Sequence, residues 1–181
     1  MIVNGLACKD PKTVTADDFF FSGLDVPGNT SNPVGSAYAF VTTSQLAGLN
    51  TLGLSLVRAD YAPSGITPPH IHPRATEVVT VLEGTLEVGF VTSLPDNHYF
   101  TKVLGKGDVF AVPPGLIHVL RNPGKTNAVA IAFFNSQSPG VSMVPGAVFG
   151  STPGIPADLL AKAFLVDRSI ITQIQSKFQK K

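Results

Sequence analysis

Turn-forming residues recur along the chain and limit what it can fold into. The 181 residues include 17 glycines and 15 prolines, and both residue types disfavour the interior of a helix. From residue 52 onward, turn signals recur about every 8–12 residues and separate short apolar runs. This spacing predicts an all-β sandwich or barrel. The predicted strands cover residues 54–61, 78–82, 85–91, 108–112, 117–121 and 128–134, with hairpins joining 78–82 to 85–91 and 117–121 to 128–134.

The two ends of the chain differ from this middle part. We expect a single domain in three segments: an irregular N-terminal extension packed on the barrel (1–50), the barrel (51–150) and a helical C-terminal segment (151–181). In the first segment, Thr15 and Asp18 have the spacing of a capping signal for one short helical turn. In the third, two apolar stripes with spacings of three and four predict two helices. The stripes are Leu159, Leu160, Ala163 and Phe164, followed by Ile170, Ile171, Ile174 and Phe178.

The apolar faces of these two helices need a surface to cover. They can cover an open end of their own barrel, or they can pack on a neighbouring subunit. We prefer the second interpretation, because a barrel closed by its own strands leaves little core for two further apolar faces. A charged fraction of only 14% also favours apolar surface that is hidden against other subunits.

The charge pattern and the apolar runs exclude several classes of partner. The net charge is +1 and the only basic run is Lys180-Lys181, which argues against binding to nucleic acid or an anionic membrane. No uninterrupted apolar stretch reaches the roughly 18 residues of a membrane span. Residues 1–5 lack the basic and apolar regions of a signal peptide.

Two further residues bear on the cellular compartment. Cys8 is the only cysteine, so it is either a free thiol in a reducing compartment or half of a disulfide whose partner lies outside this chain. Asn29-Thr30-Ser31 is a glycosylation sequon within a Gly/Pro-rich stretch that we expect to be a surface loop. Asn29 is therefore a candidate glycosylation site.

Three of the four histidines fall in segments that suit a metal site. His70 and His72 are two residues apart, so on an extended chain both rings project from the same face. Pro68, Pro69 and Pro73 flank the pair, and prolines at these positions favour an extended backbone over a helix.

Glu77 and His118 can complete a metal site with this pair. Glu77 opens the next predicted strand, and His118 follows the turn at residues 113–115 on another strand. Three imidazoles and one carboxylate suit manganese, iron, nickel, copper or zinc, and such a set can leave coordination positions open to water or substrate. The alternative is that they are ordinary buried side chains, and we interpret the remaining histidine, His98, as a turn residue.

The sequence around the four candidates resembles the two motifs of the cupin family, and within that family the plant germins and germin-like proteins. Residues 68–77, 17–24 and 27–32 are also close to germin sequences. These blocks are separated and the resemblance covers nearly the whole chain, which argues against coincidence. The two motifs read Gly65-x4-His70-x-His72-x4-Glu77-x6-Gly84 and Gly107-x5-Pro113-x-Gly115-x2-His118-x3-Asn122.

The resemblance implies a jelly-roll β-barrel with one Mn²⁺ ion per subunit, held by His70, His72, Glu77 and His118. It implies a homohexamer, built as a trimer of dimers, in which the C-terminal helices clasp neighbouring subunits. It also implies export to the cell wall or apoplast, and a disulfide between Cys8 and a cysteine that precedes the start of this sequence. We therefore expect that the signal peptide and the mature N-terminus are missing from this chain.

Two positions depart from the germin pattern and bear on the activity. Germins that oxidise oxalate orient it with two asparagines, at positions where this chain has Thr67 and Val57. Lost polar partners cost about 1–3 kcal/mol per group, so oxalate oxidation is disfavoured. Many germin-like proteins without those asparagines are superoxide dismutases, and the resemblance therefore favours that activity. Asn122 either hydrogen-bonds water at the site or is a turn residue.

Three other functions stay open at this point. A few germin-like proteins hydrolyse nucleotide sugars. This chain has no Gly-rich phosphate loop or basic cluster to support that activity, although Arg58 or Arg74 can contribute to an anion site. The related auxin-binding cupins use their metal to hold a small carboxylate without turnover. The third function is a structural or storage cupin of the cell wall that keeps the metal for stability.

Overall fold

The predicted short strands are present and build two antiparallel sheets. The computed structural model describes residues 1–178, of which Met1–Val141 form one compact unit. One sheet has the strand order β3-β4-β11-β6-β9 and the other, within this unit, β5-β10-β7-β8, while β1 and β2 pair separately. The strands are β1 Ile2–Val3, β2 Leu6–Ala7, β3 Ser36–Val41, β4 Ser55–Tyr61, β5 Ile66–Ile71, β6 Glu77–Glu83, β7 Leu86–Val91, β8 Tyr99–Leu104, β9 Val109–Val112, β10 His118–Arg121 and β11 Ala128–Phe134.

The core lies between the two sheets, because each strand turns alternate side chains inward. Val79 and Val81 of β6 are fully buried, and they belong to one apolar cluster with Leu86 and Val88 of β7 in the opposite sheet. Burying one such side chain contributes about 1.5–3 kcal/mol. The predicted fold class, an all-β jelly-roll barrel with C-terminal helices, is confirmed.

The two predicted hairpins are wrong, although all four of their strands are present. β6 pairs with β11 along one edge and with β9 along the other, so it has no free edge for β7. β10 lies between β5 and β7 and has none for β11. The chain therefore crosses from one sheet to the other at both turns. Alternating apolar residues identify a strand, but they do not specify which strands pair.

Of the twelve strands in the described part of the chain, six lie where the sequence predicted none, and β3 and β8 are the clearest cases. β3 falls inside the stretch predicted to be irregular, and it pairs with β4 at the edge of its sheet. β8 exposes five of its six residues, so no alternation reveals it. The capping signal is confirmed, because Thr15 and Asp18 form a capping box at the short 3₁₀ helix Ala16–Phe19. The segment boundaries at residues 50 and 150 stay predictions.

The second unit begins at Ser142 and is described by itself. It contains the short strand β12 Ser142–Met143 and the helices α1 Val144–Phe149, α2 Ala157–Phe164 and α3 Arg168–Phe178. α2 and α3 were both predicted, whereas α1 was not. Leu160 and Ile171 are buried, while Leu159, Leu165 and Ile170 are exposed. The use of these helices in subunit contacts stays a prediction. Within residues 1–178, no helix has the length and apolar character needed to cross a membrane.

The turn that carries the chain from β6 to β7 contains Gly84, whose backbone conformation and close packing disfavour any side chain. Gly84 has a φ of +71°, and a Cβ atom there would lie 2.5 Å from the carbonyl oxygen of Asn127. Gly107 has a φ of +88°, but nothing lies within 4 Å of its added Cβ. Alanine at either position costs about 1–2 kcal/mol for the left-handed backbone. We expect Gly84→Ala to lower the free energy of unfolding, measured by urea denaturation, more than Gly107→Ala does. Equal losses would show that the contact with the carbonyl oxygen of Asn127 has no energetic cost.

Candidate metal centre

The structure brings together the four side chains that the sequence singled out. His70, His72, Glu77 and His118 each offer one ligand atom, and these atoms all lie within 4.8 Å of one another. All four residues are at least nine-tenths buried. Such a cluster of imidazole and carboxylate groups in a barrel interior can hold a metal ion.

Both sheets contribute to the cluster. His70 in β5 is paired directly with His118 at the start of β10, and their ring centroids are 3.9 Å apart. Glu77 is the first residue of β6 in the opposite sheet. His72 follows the end of β5, and its ring packs against Phe134 with a centroid distance of 4.6 Å. The candidate centre therefore links the two sheets at the ends of their strands.

A β-bulge aims His70 into the barrel. The pairs His118–His70 and Leu120–Thr67 place three steps of β5 against two steps of β10. The extra step contains Pro68 and Pro69, which have no N–H group to donate to a ladder. Thr67 and His70 are consequently both buried, whereas a regular strand would turn residues three apart to opposite faces.

Backbone carbonyls orient all three imidazoles. The Nδ1 atom of His70 lies 3.0 Å from the carbonyl oxygen of Pro68, and that of His118 lies 2.9 Å from the carbonyl oxygen of Leu116. The Nδ1 atom of His72 lies 2.6 Å from the carbonyl oxygen of Gly140. A carbonyl only accepts hydrogen bonds, so each Nδ1 carries the proton and donates it. Each Nε2 is then left with a lone pair for a metal.

Two of the three remaining nitrogen atoms, those of His72 and His118, converge on one carboxylate oxygen. Nε2 of His118 lies 2.9 Å and Nε2 of His72 lies 3.2 Å from Oε2 of Glu77. A lone pair and a carboxylate oxygen repel one another at such distances unless a proton or a metal cation lies between them. The donor set therefore fits a divalent transition-metal ion, which would be held by the same four residues.

Burial and neighbouring groups set the protonation of the cluster. Burial raises the pKa of Glu77. A proton on Nε2 of His118 or His72, hydrogen-bonded to the carboxylate, outweighs this effect and lowers the pKa to about 2, and a metal cation would take the place of that proton. Burial, followed by repulsion from His118, lowers the pKa of His70 to about 4. At neutral pH the cluster thus offers an ionised carboxylate and a neutral imidazole at His70, which are the forms that bind metals.

A cavity of about 620 Å³ reaches the cluster at His72. This volume is within the range of small-molecule sites. Aromatic walls and hydroxyl or amide groups line it, and the lining residues include no charged side chain apart from the titratable His72. They are Asn4, Phe40, Thr42, Thr43, Ser44, His72, Phe134, Gln137, Ser138, Pro139, Gly140 and Val141.

Sequence reasoning missed a chain of buried hydroxyl groups that ends at Thr67. The hydroxyl of Tyr38 donates to Oγ1 of Thr67 at 2.8 Å, and the hydroxyl of Tyr61 lies 2.7 Å from the same atom. Ser36 Oγ extends the chain at 2.9 Å from Tyr38. Burial raises the pKa of Tyr61 well above its usual value, so its proton is retained. No sequence pattern predicts these linked hydroxyl groups, because Tyr and Thr residues are common in strands whether or not their hydroxyl groups bond to one another.

The other residues singled out from the sequence lie outside the cluster. Asn122 is a turn residue: its side chain donates to the carbonyls of Ala62 and Thr126 and accepts from the N–H of Gly124. Arg58 pairs with Asp60 and donates to the carbonyl of Leu24, whereas Arg74 donates to Ser138. Exposed positions are occupied by Cys8, Asn29 and His98.

Comparison with known proteins gives a consistent result. The family described as Cupin matches residues 22–172. A germin-like protein of Oryza sativa subsp. japonica is 59% identical over 178 residues, covering 98% of this chain and 82% of the relative. Germin-like protein subfamily 1 member 10 of Arabidopsis thaliana is 57% identical over 180 residues, covering 99% and 81%. The structure of recombinant oxalate oxidase in complex with glycolate superposes with a TM-score of 0.93 at 44% identity, covering 98% of this chain and 89% of that chain.

The geometry predicts which substitutions abolish metal binding. We expect His118→Ala and Glu77→Gln each to lower the bound metal per chain to near zero, because each removes one of four converging donors. His98→Ala is the matched control, since His98 is exposed and outside the cluster. Elemental analysis of the purified proteins, without a histidine tag, measures the stoichiometry. Full metal content in Glu77→Gln would contradict the assigned site.

Proposed function

Because the chain belongs to the germin-like proteins of the cupin family, we propose that it is a manganese-dependent superoxide dismutase. In this proposal His70, His72, Glu77 and His118 hold the metal. The reaction converts two superoxide anions and two protons into dioxygen and hydrogen peroxide. Bound manganese would supply the one-electron oxidation and reduction that this reaction requires.

The convergence of three Nε2 atoms and one carboxylate oxygen in a buried cluster carries this proposal. The protein's own contribution is to hold the donors in their metal-binding protonation states. Three backbone carbonyls keep the protons on Nδ1. The low pKa of Glu77, about 2, keeps its carboxylate ionised at neutral pH. The charge of the carboxylate offsets part of the charge of a divalent cation in a site that is shielded from water.

Superoxide makes few demands on the rest of the pocket. It has only two atoms and a single charge, so it needs an open coordination position and a source of protons. Val57 is buried in the apolar cluster and offers no hydrogen bond, while the Thr67 hydroxyl is already in contact with Tyr38 and Tyr61. In such surroundings superoxide loses little binding free energy, whereas a larger dicarboxylate lacks the hydrogen-bond donors that would orient it.

Oxalate oxidation is the second candidate, because an oxalate oxidase shares the fold with a TM-score of 0.93 at 44% identity. The residues at positions 57 and 67 argue against it. Oxalate carries two carboxylates. Val57 offers them no polar partner, and the Thr67 hydroxyl is already hydrogen-bonded to Tyr38 and Tyr61. The missing contacts would weaken oxalate binding by about 1–3 kcal/mol for each group.

One experiment separates the two activities. We expect the manganese-loaded protein to consume superoxide in a pulse-radiolysis assay and to produce no hydrogen peroxide from oxalate. The double variant Val57→Asn/Thr67→Asn should gain oxalate turnover, because it restores two amide donors, while its superoxide rate should change little. His70→Ala is the inactive control for both reactions. A native protein that binds manganese but does not speed the loss of superoxide would contradict the dismutase proposal and favour a binding or structural role.

We also propose that the protein is a secreted homohexamer with a glycan on Asn29. Asn29 is exposed, and its side chain accepts a hydrogen bond from the N–H of Ser31, so the sequon lies in an accessible turn. The second unit exposes Leu159 and Phe164 of α2 and Leu165, the residue after that helix, which are apolar side chains suited to a subunit interface.

Light scattering on the protein purified from plant extracellular fluid tests this assembly. We expect a native mass close to six glycosylated chains, and a smaller mass per chain in Asn29→Gln. Leu165→Glu should reduce the native mass, because it places a charge in the proposed interface. A monomeric native protein, or absence of the protein from the extracellular fluid, would contradict this part of the proposal.

A further inference from the structure

The three histidines of the cluster are not oriented in the same way. His70 and His118 donate their Nδ1 protons to carbonyls only two residues earlier in the chain, those of Pro68 and Leu116. His72 donates to the carbonyl of Gly140, which is 68 residues away. The first two rings are thus oriented by their own strand or the turn before it. The orientation of His72 depends on a distant segment, residues 135–140.

Arg74 is hydrogen-bonded to that segment through its side chain and its backbone N–H. Its Nε donates to the carbonyl oxygen of Ser138 at 2.9 Å, and its Nη2 donates to Ser138 Oγ at 3.3 Å. The backbone N–H of Arg74 donates to the carbonyl of Pro139 at 3.2 Å. Three donors of one residue therefore hold the two residues that immediately precede Gly140.

The close approach of Arg74 also explains why residue 140 is glycine. Gly140 has a φ of +67°, and a Cβ atom there would lie 2.9 Å from Nη2 of Arg74 and 3.2 Å from Cγ of Pro73. The guanidinium occupies the space that a side chain would fill. This left-handed backbone turns the Gly140 carbonyl toward Nδ1 of His72.

We propose that Arg74 is a positioning residue for the metal ligand His72, acting through Ser138 and the carbonyl of Gly140. This role rests on the proposed metal site. Partners that orient a metal-ligating histidine typically change metal affinity about 10–100-fold when they are removed. Arg74 itself touches neither the metal donors nor the substrate, and its guanidinium serves the site only through residues 138–140.

Titration of the full-length, metal-free protein with MnCl₂ tests the role, with free Mn²⁺ followed by its EPR signal. We expect Arg74→Met to weaken Mn²⁺ binding about 10–100-fold with the number of sites unchanged, and Arg74→Lys to recover part of the loss. Gly140→Ala should weaken binding in the same direction. Arg121→Met is the matched control: Arg121 lies three residues after His118 and is exposed like Arg74, but it pairs with Glu87 and not with residues 138–140. Circular dichroism checks that each variant is folded.

A double-variant comparison shows whether Arg74 acts through His72. In the Gly140→Ala background, Arg74→Met should lower the Mn²⁺ affinity by much less than in the native protein, because the carbonyl through which Arg74 orients His72 is already displaced. An equal loss in both backgrounds would overturn the proposal and assign Arg74 a general structural role. Unchanged affinity in Arg74→Met would overturn it as well.

Hydrogen exchange of the metal-free proteins separates this proposal from the proposed function. Residues 135–141 should exchange faster in Arg74→Met than in the native protein or in Arg121→Met. Unchanged exchange would overturn the positioning role, whether or not the protein binds manganese. A native chain that takes up no Mn²⁺ would remove the proposed function, and the exchange result would still decide whether Arg74 holds the segment.

Discussion

A buried negative charge organises this protein. Glu77 stands in the barrel interior, and an ionised carboxylate there costs several kcal/mol unless cations or hydrogen-bond donors surround it. His72 and His118 approach one of its oxygens within 3.2 Å, and His70 completes the group within 4.8 Å. The rest of the fold keeps these groups at that separation. The apolar core supplies rigidity, while the carbonyls behind the rings set which nitrogen atom faces inward.

The two sheets contribute to this arrangement in different ways. The sheet that contains β6 provides the carboxylate, and the sheet that contains β5 and β10 provides a pair of imidazoles in direct register. The bulge at Pro68 and Pro69 gives up ladder hydrogen bonds in order to turn Thr67 and His70 to the same side. Local backbone chemistry thus orients two ligands. The third ligand, His72, relies on contacts between parts of the chain that are far apart in sequence.

Local patterns in the sequence predicted six of the strands, the helices α2 and α3, and the four clustered residues. Alternating apolar residues located β4, β6, β7, β10 and β11, and the His-x-His spacing placed two rings on one face. Strand pairing escaped prediction, because it depends on which edges are already occupied and not on the composition of a strand. β8 escaped because its exposed residues do not alternate. The contacts of Arg74 with Ser138, and of Gly140 with His72, join segments that no local pattern connects.

The three Nδ1 contacts span different distances along the sequence, so they form at different stages of synthesis. His70 and His118 can be oriented once their own strands and turns are in place. His72 is oriented only when residue 140 has been made and has folded back onto the barrel. A nascent chain that ends before that point can present the donor atoms but not the complete arrangement. A correctly formed centre therefore reports that the barrel has closed.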